Sequence, residues 1–252
     1  MNSLPAIITP ALLSSIRGYP NLPGHTWYFI AATALSLLNR PDEVAKVYQH
    51  ALRHGPGDTT PSRDDKLRIS RRMREALIKA AAVGGVPRTI NALFELKKVT
   101  PEELLDDPEA FSPTGRRAEI YDTSASHIIQ RGQSFFEAVY GKITKRIMGQ
   151  MDRSGTEDLG LMARLMYGYV LSNTNVLSAA ETSFVMIAGL IPQDVNPQLK
   201  GHLRGALNGG ATVEQVKAVR NLVVELCQAA GMKMLDDSNP AGFGWRSEVA
   251  DL

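Results

Sequence analysis

The chain has 252 residues and a formal net charge of +2, with 44% hydrophobic and 21% charged residues. This composition is ordinary for a globular protein with a sizeable core. The charge gives no reason to expect nucleic acid as a partner, and no apolar run is long enough to span a membrane. The single cysteine, Cys227, excludes an internal disulfide, a cysteine-based zinc site and a Cys-x-x-Cys redox pair.

The first 24 residues form an apolar, acid-poor segment in which Arg17 is the one basic residue. Organelle transit peptides are also acid-poor but are usually richer in arginine. We therefore expect this segment to pack on the domain and the protein to be cytoplasmic, with import into an organelle left open. The last three residues, 250–252, match a peroxisomal address only at their two ends, because Asp251 is acidic.

The remaining chain predicts one helix after another. The almost uncharged stretch 25–39 indicates a buried helix, Pro41 begins the next, and 55–62 is a loop by its Gly, Pro and Ser content. No period-2 alternation predicts strands, so the predicted fold class is all-α. Further helices are predicted at about 64–84, 87–96, a short one from 100, then 115–131, 132–151, 156–171, 179–191, 196–208 and 213–230.

Two parts of the chain have the same order of features: a short helix, a glycine stop, a long helix and a second glycine stop. The first runs from Ala51 to Gly85 and the second from Ala206 to Gly231. The first copy is longer between its glycines, as a loop insertion would make it. The pattern predicts a degenerate internal repeat.

Two ionisable residues stand on apolar helix faces in the second half. His202 lies within a stripe of residues 199–207 spaced for one helical face, and Glu181 stands three residues before Phe184 on another. We expect the two side chains to meet, with the carboxylate opposing the fall in the histidine pKa that burial causes. A Glu–His pair can move a proton on a small organic acid. The alternative is structural: Ser178 and Glu181 also form a capping box, and a buried histidine is often a core residue.

Residues 130–235 resemble the carboxymuconolactone decarboxylase family, within the alkylhydroperoxidase D-like superfamily. The resemblance is carried by residues 133–141, by Tyr167-Gly168, by 177–181 with the apolar helix that follows, and by 202–214, where a histidine helix, a glycine break and a Thr-x-Glu restart follow the family pattern. Residues 25–97 resemble the same unit weakly.

The resemblance implies an alkylhydroperoxidase D-like helical fold that oligomerises as dimers, trimers or hexamers. It divides the chain into five parts. They are an N-terminal segment (1–24), a degenerate repeat (25–105), a linker with a connecting helix (106–129), a decarboxylase-like domain (130–235) and a C-terminal tail (236–252). His202 and Glu181 occupy the family's histidine and glutamate positions. The cysteine positions of its peroxidase branch fall on Val195 and Gln198, which form no thiolate.

The leading functional prediction is therefore a lyase or isomerase, decarboxylase-like, that acts on a small oxygenated acid or cyclic ketone without metal or cofactor. His202 and Glu181 are the predicted catalytic residues, and Tyr140, Tyr167 and Gln198 the predicted substrate-binding residues. The alternatives are a non-catalytic oligomeric scaffold and, third, a thiol peroxidase dependent on Cys227. A metal at His50 and His54, four residues apart on one helix, is not expected, because no HExxH pattern is present.

Overall fold

Helices make up nearly all the regular structure of the computed structural model, which describes residues 5–55, 59–107, 112–238 and 241–252. The predicted all-α class is confirmed. The α-helices are α1 (Pro10–Arg17), α2 (Trp27–Leu37), α3 (Pro41–Arg53), α4 (Arg63–Gly84), α5 (Val86–Lys98), α6 (Arg116–Asp122), α7 (Ala125–Tyr140), α8 (Thr144–Met151), α9 (Asp158–Leu165), α10 (Ala179–Leu190), α11 (Asn196–Asn208) and α12 (Val213–Ala229). Two short parallel strands, β1 (Lys233–Met234) and β2 (Gly244–Trp245), pair near the chain end.

Two apolar helices, α2 and α10, form the centre of the core. Every residue of α2 is buried, and α10 is buried from Glu181 to Leu190. Both sequences lack lysine and arginine, and the one acid in either is Glu181. A helix that is apolar on all sides must be surrounded by other elements, and this requirement sets the arrangement of the neighbouring helices.

The surrounding helices pack in a reciprocal pattern. Helix α2 contacts α3 and α4, which follow it in the chain, and also α12 from the second half. Helix α10 contacts α11 and α12, which follow it, and also α4 from the first half, while α2 and α10 contact each other. Two related units would exchange long helices in this way, but the internal repeat itself stays a prediction.

The predicted boundaries fail between residues 115 and 151. Two long helices were predicted there, at 115–131 and 132–151, and the structure has three shorter ones, α6, α7 and α8. Ser124 caps α7 by accepting a hydrogen bond from the backbone N–H of His127, and Gly141 ends it at a φ of 53°. Part of the predicted linker, 108–111, lies outside the described residues.

Helix α9 continues into a π-helical segment, Met166–Leu171, that packs closely on α7. A Cβ atom added at Gly132 on α7 would lie 2.4 Å from the backbone nitrogen of Gly168. Only glycine allows the two backbones to approach this closely. The contact fixes Tyr167, the residue before Gly168, in the interior, where 8% of it is exposed.

A buried lysine ties α4 to the end of this segment. Lys79 is fully buried, and its Nζ donates hydrogen bonds to the carbonyl oxygens of Leu171, at 2.7 Å, and Asn173, at 2.8 Å. Burial lowers the pKa of Lys79 to about 8, although the nearby Glu75 carboxylate, 3.6 Å away, opposes the shift. Glu75 is in turn held by both terminal nitrogens of Arg116. The network satisfies carbonyl groups that the π-helical segment leaves unpaired at its end.

None of the helices in the described ranges combines the length and the apolar character that crossing a membrane requires.

Lys79→Met should lower the free energy of unfolding by about 3 kcal/mol, because it leaves the buried carbonyl groups of Leu171 and Asn173 without their donor and removes one of the two cations beside Glu75. Lys97→Met, at an exposed position on α5, is the matched control and should change it by less than about 0.5 kcal/mol. Urea denaturation of both variants measures the difference. Equal effects of the two substitutions would show that the Lys79 network contributes nothing specific.

Candidate functional site

The carboxylate of Glu181 joins three elements of the fold. It accepts a hydrogen bond from the backbone N–H of Ser178 at 2.9 Å, which completes the predicted capping box at the start of α10. It also pairs with Arg72 on α4, through both terminal nitrogens, and with Nε2 of His25, at 3.3 Å, in the turn before α2. Glu181 therefore caps its own helix and connects both halves of the chain.

These contacts keep Glu181 ionised. Burial alone would raise the pKa of its carboxyl group, but hydrogen bonds from His25, Arg72 and the Ser178 backbone outweigh burial and hold the pKa at about 2. A carboxylate with this pKa carries its negative charge throughout the physiological pH range. It can accept hydrogen bonds but cannot donate one.

Arg72 is held in place on all sides. Its Nε donates to the hydroxyl of Tyr28 at 3.1 Å, and one terminal nitrogen donates to the backbone carbonyl of His25 at 3.3 Å. The guanidinium also lies 5.2 Å from the centre of the Phe29 ring, within the range of a cation–π contact. Because Arg72 is 8% exposed, this ion pair is buried and its geometry is fixed by packing.

His25 faces a cleft of about 680 Å³, which we call the histidine cleft; it is lined by His25, His50, His54, Arg17, Arg68, Asp65 and Tyr28, with further residues of α1, α3 and α4. The side chain of His25 is 59% exposed, although its Nε2 contacts the largely buried Glu181. One end of the ring is thus anchored in the protein and the rest is accessible from the cleft.

Three of the five histidines in the sequence line this cleft. His50, in the last turn of α3, stacks on His54, which caps the helix end, with ring centres 4.4 Å apart; His50 also contacts the edge of Trp27. Within the described ranges, no group of three His, Cys, Asp or Glu side chains is placed to hold a metal ion. The histidines therefore give the cleft polar, titratable groups beside an aromatic wall.

The predicted contact between Glu181 and His202 is wrong. His202 is 5% exposed on α11, and its Nε2 lies 3.4 Å from the hydroxyl of Tyr140. Its Nδ1 has no hydrogen-bond partner in the part of the chain that the structure describes. Burial, with no carboxylate to oppose it, lowers the pKa of His202 to about 4, so the ring is neutral at pH 7.

The predicted substrate-binding residues lie on the His202 side. The hydroxyl of Tyr167 donates to that of Tyr140 at 3.3 Å, which extends the Tyr140–His202 contact into a chain of three polar groups. Tyr140 and the exposed Gln198 line a second cleft, separate from the histidine cleft. The structure thus splits the predicted site: Glu181 belongs to one region, and His202, Tyr140, Tyr167 and Gln198 to another.

The expected burial of Cys227 is confirmed. The thiol is fully buried on α12, and burial raises its pKa to about 12. A thiol that stays protonated and enclosed is a poor nucleophile, and this weighs against the peroxidase alternative.

Neither His25 nor Arg72, the two side chains that Glu181 binds, stands out in the sequence. Arg72 lies 109 residues before Glu181 in the chain, in a helix rich in charges, so its sequence gives no sign that it is buried. His25 precedes an uncharged helix and sits on no periodic face. The sequence did contain one indication of such a contact: Glu181 is the lone acid in an otherwise apolar helix, and a buried acid requires a cation from another element.

The low pKa of His202 predicts a specific loss of stability in mild acid. The unfolded histidine binds its proton near pH 6.5 and the folded one only near pH 4. The neutral, buried His202 therefore makes its full contribution to the free energy of unfolding above about pH 6.5, and this contribution is lost as the pH falls towards 4. From pH 7 to pH 5 the free energy of unfolding should fall by about 2 kcal/mol on this account.

His202→Gln should remove that part of the pH dependence, and urea denaturation at pH 7 and pH 5 measures it. His127→Gln, at an exposed position on α7, should retain the full wild-type dependence. A His202→Gln variant with the same loss between the two pH values would contradict the burial of a neutral His202.

The chain is similar over most of its length to two fungal proteins. It is 38% identical over 215 residues to the Peroxisomal protein 2 of Schizosaccharomyces pombe. The aligned residues cover 83% of this chain and 89% of that protein. It is 32% identical to the Peroxisomal protein 2 of Saccharomyces cerevisiae over an alignment of 286 positions. That alignment covers 96% of this chain and 97% of the yeast protein. No protein-family model matches the chain, so the resemblance to the carboxymuconolactone decarboxylase family stays a prediction. Given this identity over nearly the whole of both relatives, the chain belongs to the Peroxisomal protein 2 family.

Proposed function

We propose that the protein is a lyase or isomerase of small oxygenated organic acids that uses His25 and Glu181 for proton transfer in the histidine cleft. The observation that carries the proposal is the 3.3 Å contact between an ionised, largely buried carboxylate and a histidine exposed to a cleft. The reaction class is the one that the sequence resemblance predicts. The histidine that takes part is His25 instead of His202.

The contact with Glu181 supports a separate role for each ring nitrogen of His25. Glu181 is ionised, so the contact requires that Nε2 carries the hydrogen and donates it. In the neutral ring, Nδ1 then holds the lone pair and acts as the base. Glu181 fixes the orientation of the ring, as carboxylates do in other acid–base pairs with histidine. His202 is a weaker candidate, because a buried imidazole with a pKa of about 4 is a poor base at neutral pH.

The cleft favours a substrate with a carboxylate. Arg17 and Arg68 line it together with His25; Arg17 also donates to the carbonyl oxygen of Gly55, and Arg68 pairs with Asp65 at 2.6 Å. Guanidinium groups bind carboxylates through charge-assisted hydrogen bonds. Trp27 and Tyr28 supply an aromatic wall that fits a ring or an unsaturated chain. A volume of about 680 Å³ is large enough for a small cyclic acid and leaves space for water.

Two reactions fit this arrangement. In decarboxylation, the bond between the substrate carbon and its carboxyl group breaks. The electrons of this bond form an enolate as CO₂ leaves, and protonated His25 delivers a proton to the same substrate carbon. In isomerisation, Nδ1 removes a proton from one carbon and returns it to another. Both require an acid–base group and positive charge close to the developing enolate, and the cleft supplies both.

His25→Asn should reduce turnover by at least about 100-fold while leaving the fold intact, because the base is lost and the exposed turn keeps its shape. A suitable assay incubates the protein in D₂O with a panel of carboxylated unsaturated γ-lactones and cyclic 3-oxo acids. NMR then follows CO₂ loss and deuterium incorporation. His127→Gln is the matched control and should retain wild-type turnover.

A wild-type rate of turnover in His25→Asn would contradict the assignment of His25 as the base. Absence of turnover by the wild-type protein on the whole panel would favour the alternative, a non-catalytic oligomeric scaffold.

We also propose that the protein acts in the peroxisome and forms a homo-oligomer. The first rests on the names of its two relatives. The second rests on large apolar side chains that α9 exposes to solvent, including Leu161 at 46% and Met162 at 54% exposed. Contiguous exposed apolar side chains of this kind mark contact surfaces between proteins.

Sedimentation velocity should therefore give a mass that is a multiple of the 27.5 kDa chain. Met162→Glu should shift the protein towards the monomer, because a carboxylate is costly to bury in an apolar contact. Val213→Glu is the control, because Val213 is the one large apolar side chain that α12 exposes. A monomeric wild-type protein, or an equal shift in both variants, would contradict a contact through α9.

A further inference from the structure

The second cleft lies between α8 and α11 and shares no lining residue with the histidine cleft. Its volume is about 580 Å³, which is within the range of small-molecule sites. We call it the basic cleft, and Arg146, Lys200, Arg204, Tyr140, Ile147 and Gln198 line it. Nothing in the proposed reaction uses these residues.

Three cations, Arg146, Lys200 and Arg204, line this cleft. Arg146 comes from α8, and Lys200 and Arg204 come from successive turns of α11. In the described part of the chain, none of the three has an ion-pair partner within 4 Å, whereas Arg164 on the neighbouring α9 is paired with Asp152. Asp251 and Leu252 also line the cleft, and the carboxylate of Asp251 lies 4.0 Å from Arg220, which is outside it. The excess positive charge favours an anion.

The wall of the basic cleft is apolar. Ile143 and Ile147 are half-buried on one side, and the buried Leu203 and the ring of Tyr140 lie on the other. Gly201 allows this arrangement, since a Cβ atom there would lie 2.6 Å from Cε1 of Tyr140. An apolar surface next to unpaired cations suits a ligand with an apolar body and one acidic group.

Tyr140, one of the lining residues, carries a hydroxyl group. This hydroxyl lies between Tyr167 and His202, and burial raises its pKa, so it stays protonated and able to donate a hydrogen bond. Behind it, Nδ1 of the buried His202 lacks a hydrogen-bond partner among the described residues. The apolar wall therefore ends at a short chain of hydrogen-bonding groups.

We propose that the basic cleft binds an amphipathic monocarboxylate, with its acid group against Arg146 and Arg204 and its apolar chain against Ile143, Ile147 and Leu203. The site is separate from the histidine cleft and does not depend on the function proposed for it.

Decanoate is the probe, and isothermal titration calorimetry on the full chain measures its Kd. Arg146→Glu should weaken binding at least tenfold, because it replaces an attractive charge with a repulsive one. Lys145→Glu makes the same change in charge at the adjacent exposed residue of α8, which does not line the cleft, and should change the Kd less than twofold. His25→Asn should bind decanoate as the wild-type protein does, which separates this site from the catalytic proposal.

Three results would overturn the inference. They are absence of decanoate binding, equal weakening by Arg146→Glu and Lys145→Glu, and equal affinity for decanol, which lacks the acid. Decyl phosphate distinguishes the acid group: weaker binding than decanoate supports a carboxylate, and tighter binding overturns that choice.

Discussion

The buried ion pair between Arg72 and Glu181 is the contact on which the arrangement of the molecule depends. It joins α4 of the first half to the start of α10 in the second, at a point where both side chains are about nine-tenths buried. A charge at this depth is costly unless it is paired and hydrogen-bonded. Here Tyr28, the Ser178 backbone and His25 complete the set of partners. The two apolar helices α2 and α10 can therefore meet with a charged pair at one end of their contact.

The same constraint creates the candidate active site. Glu181 is fixed by the fold, so His25 is fixed at one end and accessible at the other. The cleft above it collects cations and aromatic side chains from α1 to α4, elements that must lie there because they surround α2. The basic cleft has a different origin: it forms where α8 and α11 diverge beyond the close α7–α11 packing at Gly201 and Gly205. The two sites thus belong to different helix contacts, and one can be altered without the other.

The sequence predicted the elements better than their contacts. The uncharged stretches indicated α2 and α10, the capping box at Ser178 marked the start of α10, and the Thr-x-Glu restart marked the start of α12. The break at Gly141 was missed because its single glycine lies in an otherwise helical pattern. Periodicity placed Glu181 and His202 on apolar faces, and both are buried. It could not show which distant side chain reaches Glu181, since pairing across a core depends on helix packing and leaves no local pattern.

The proposed function requires that Glu181 holds His25 in the tautomer that presents Nδ1 to the cleft. Long-range ¹H–¹⁵N correlation of the histidine rings at neutral pH tests it directly, with the His25 signals assigned by their loss in His25→Asn. The account predicts a hydrogen on Nε2 and a lone pair on Nδ1 in the neutral ring. A neutral His25 with its hydrogen on Nδ1, or one exchanging freely between both tautomers, would contradict it.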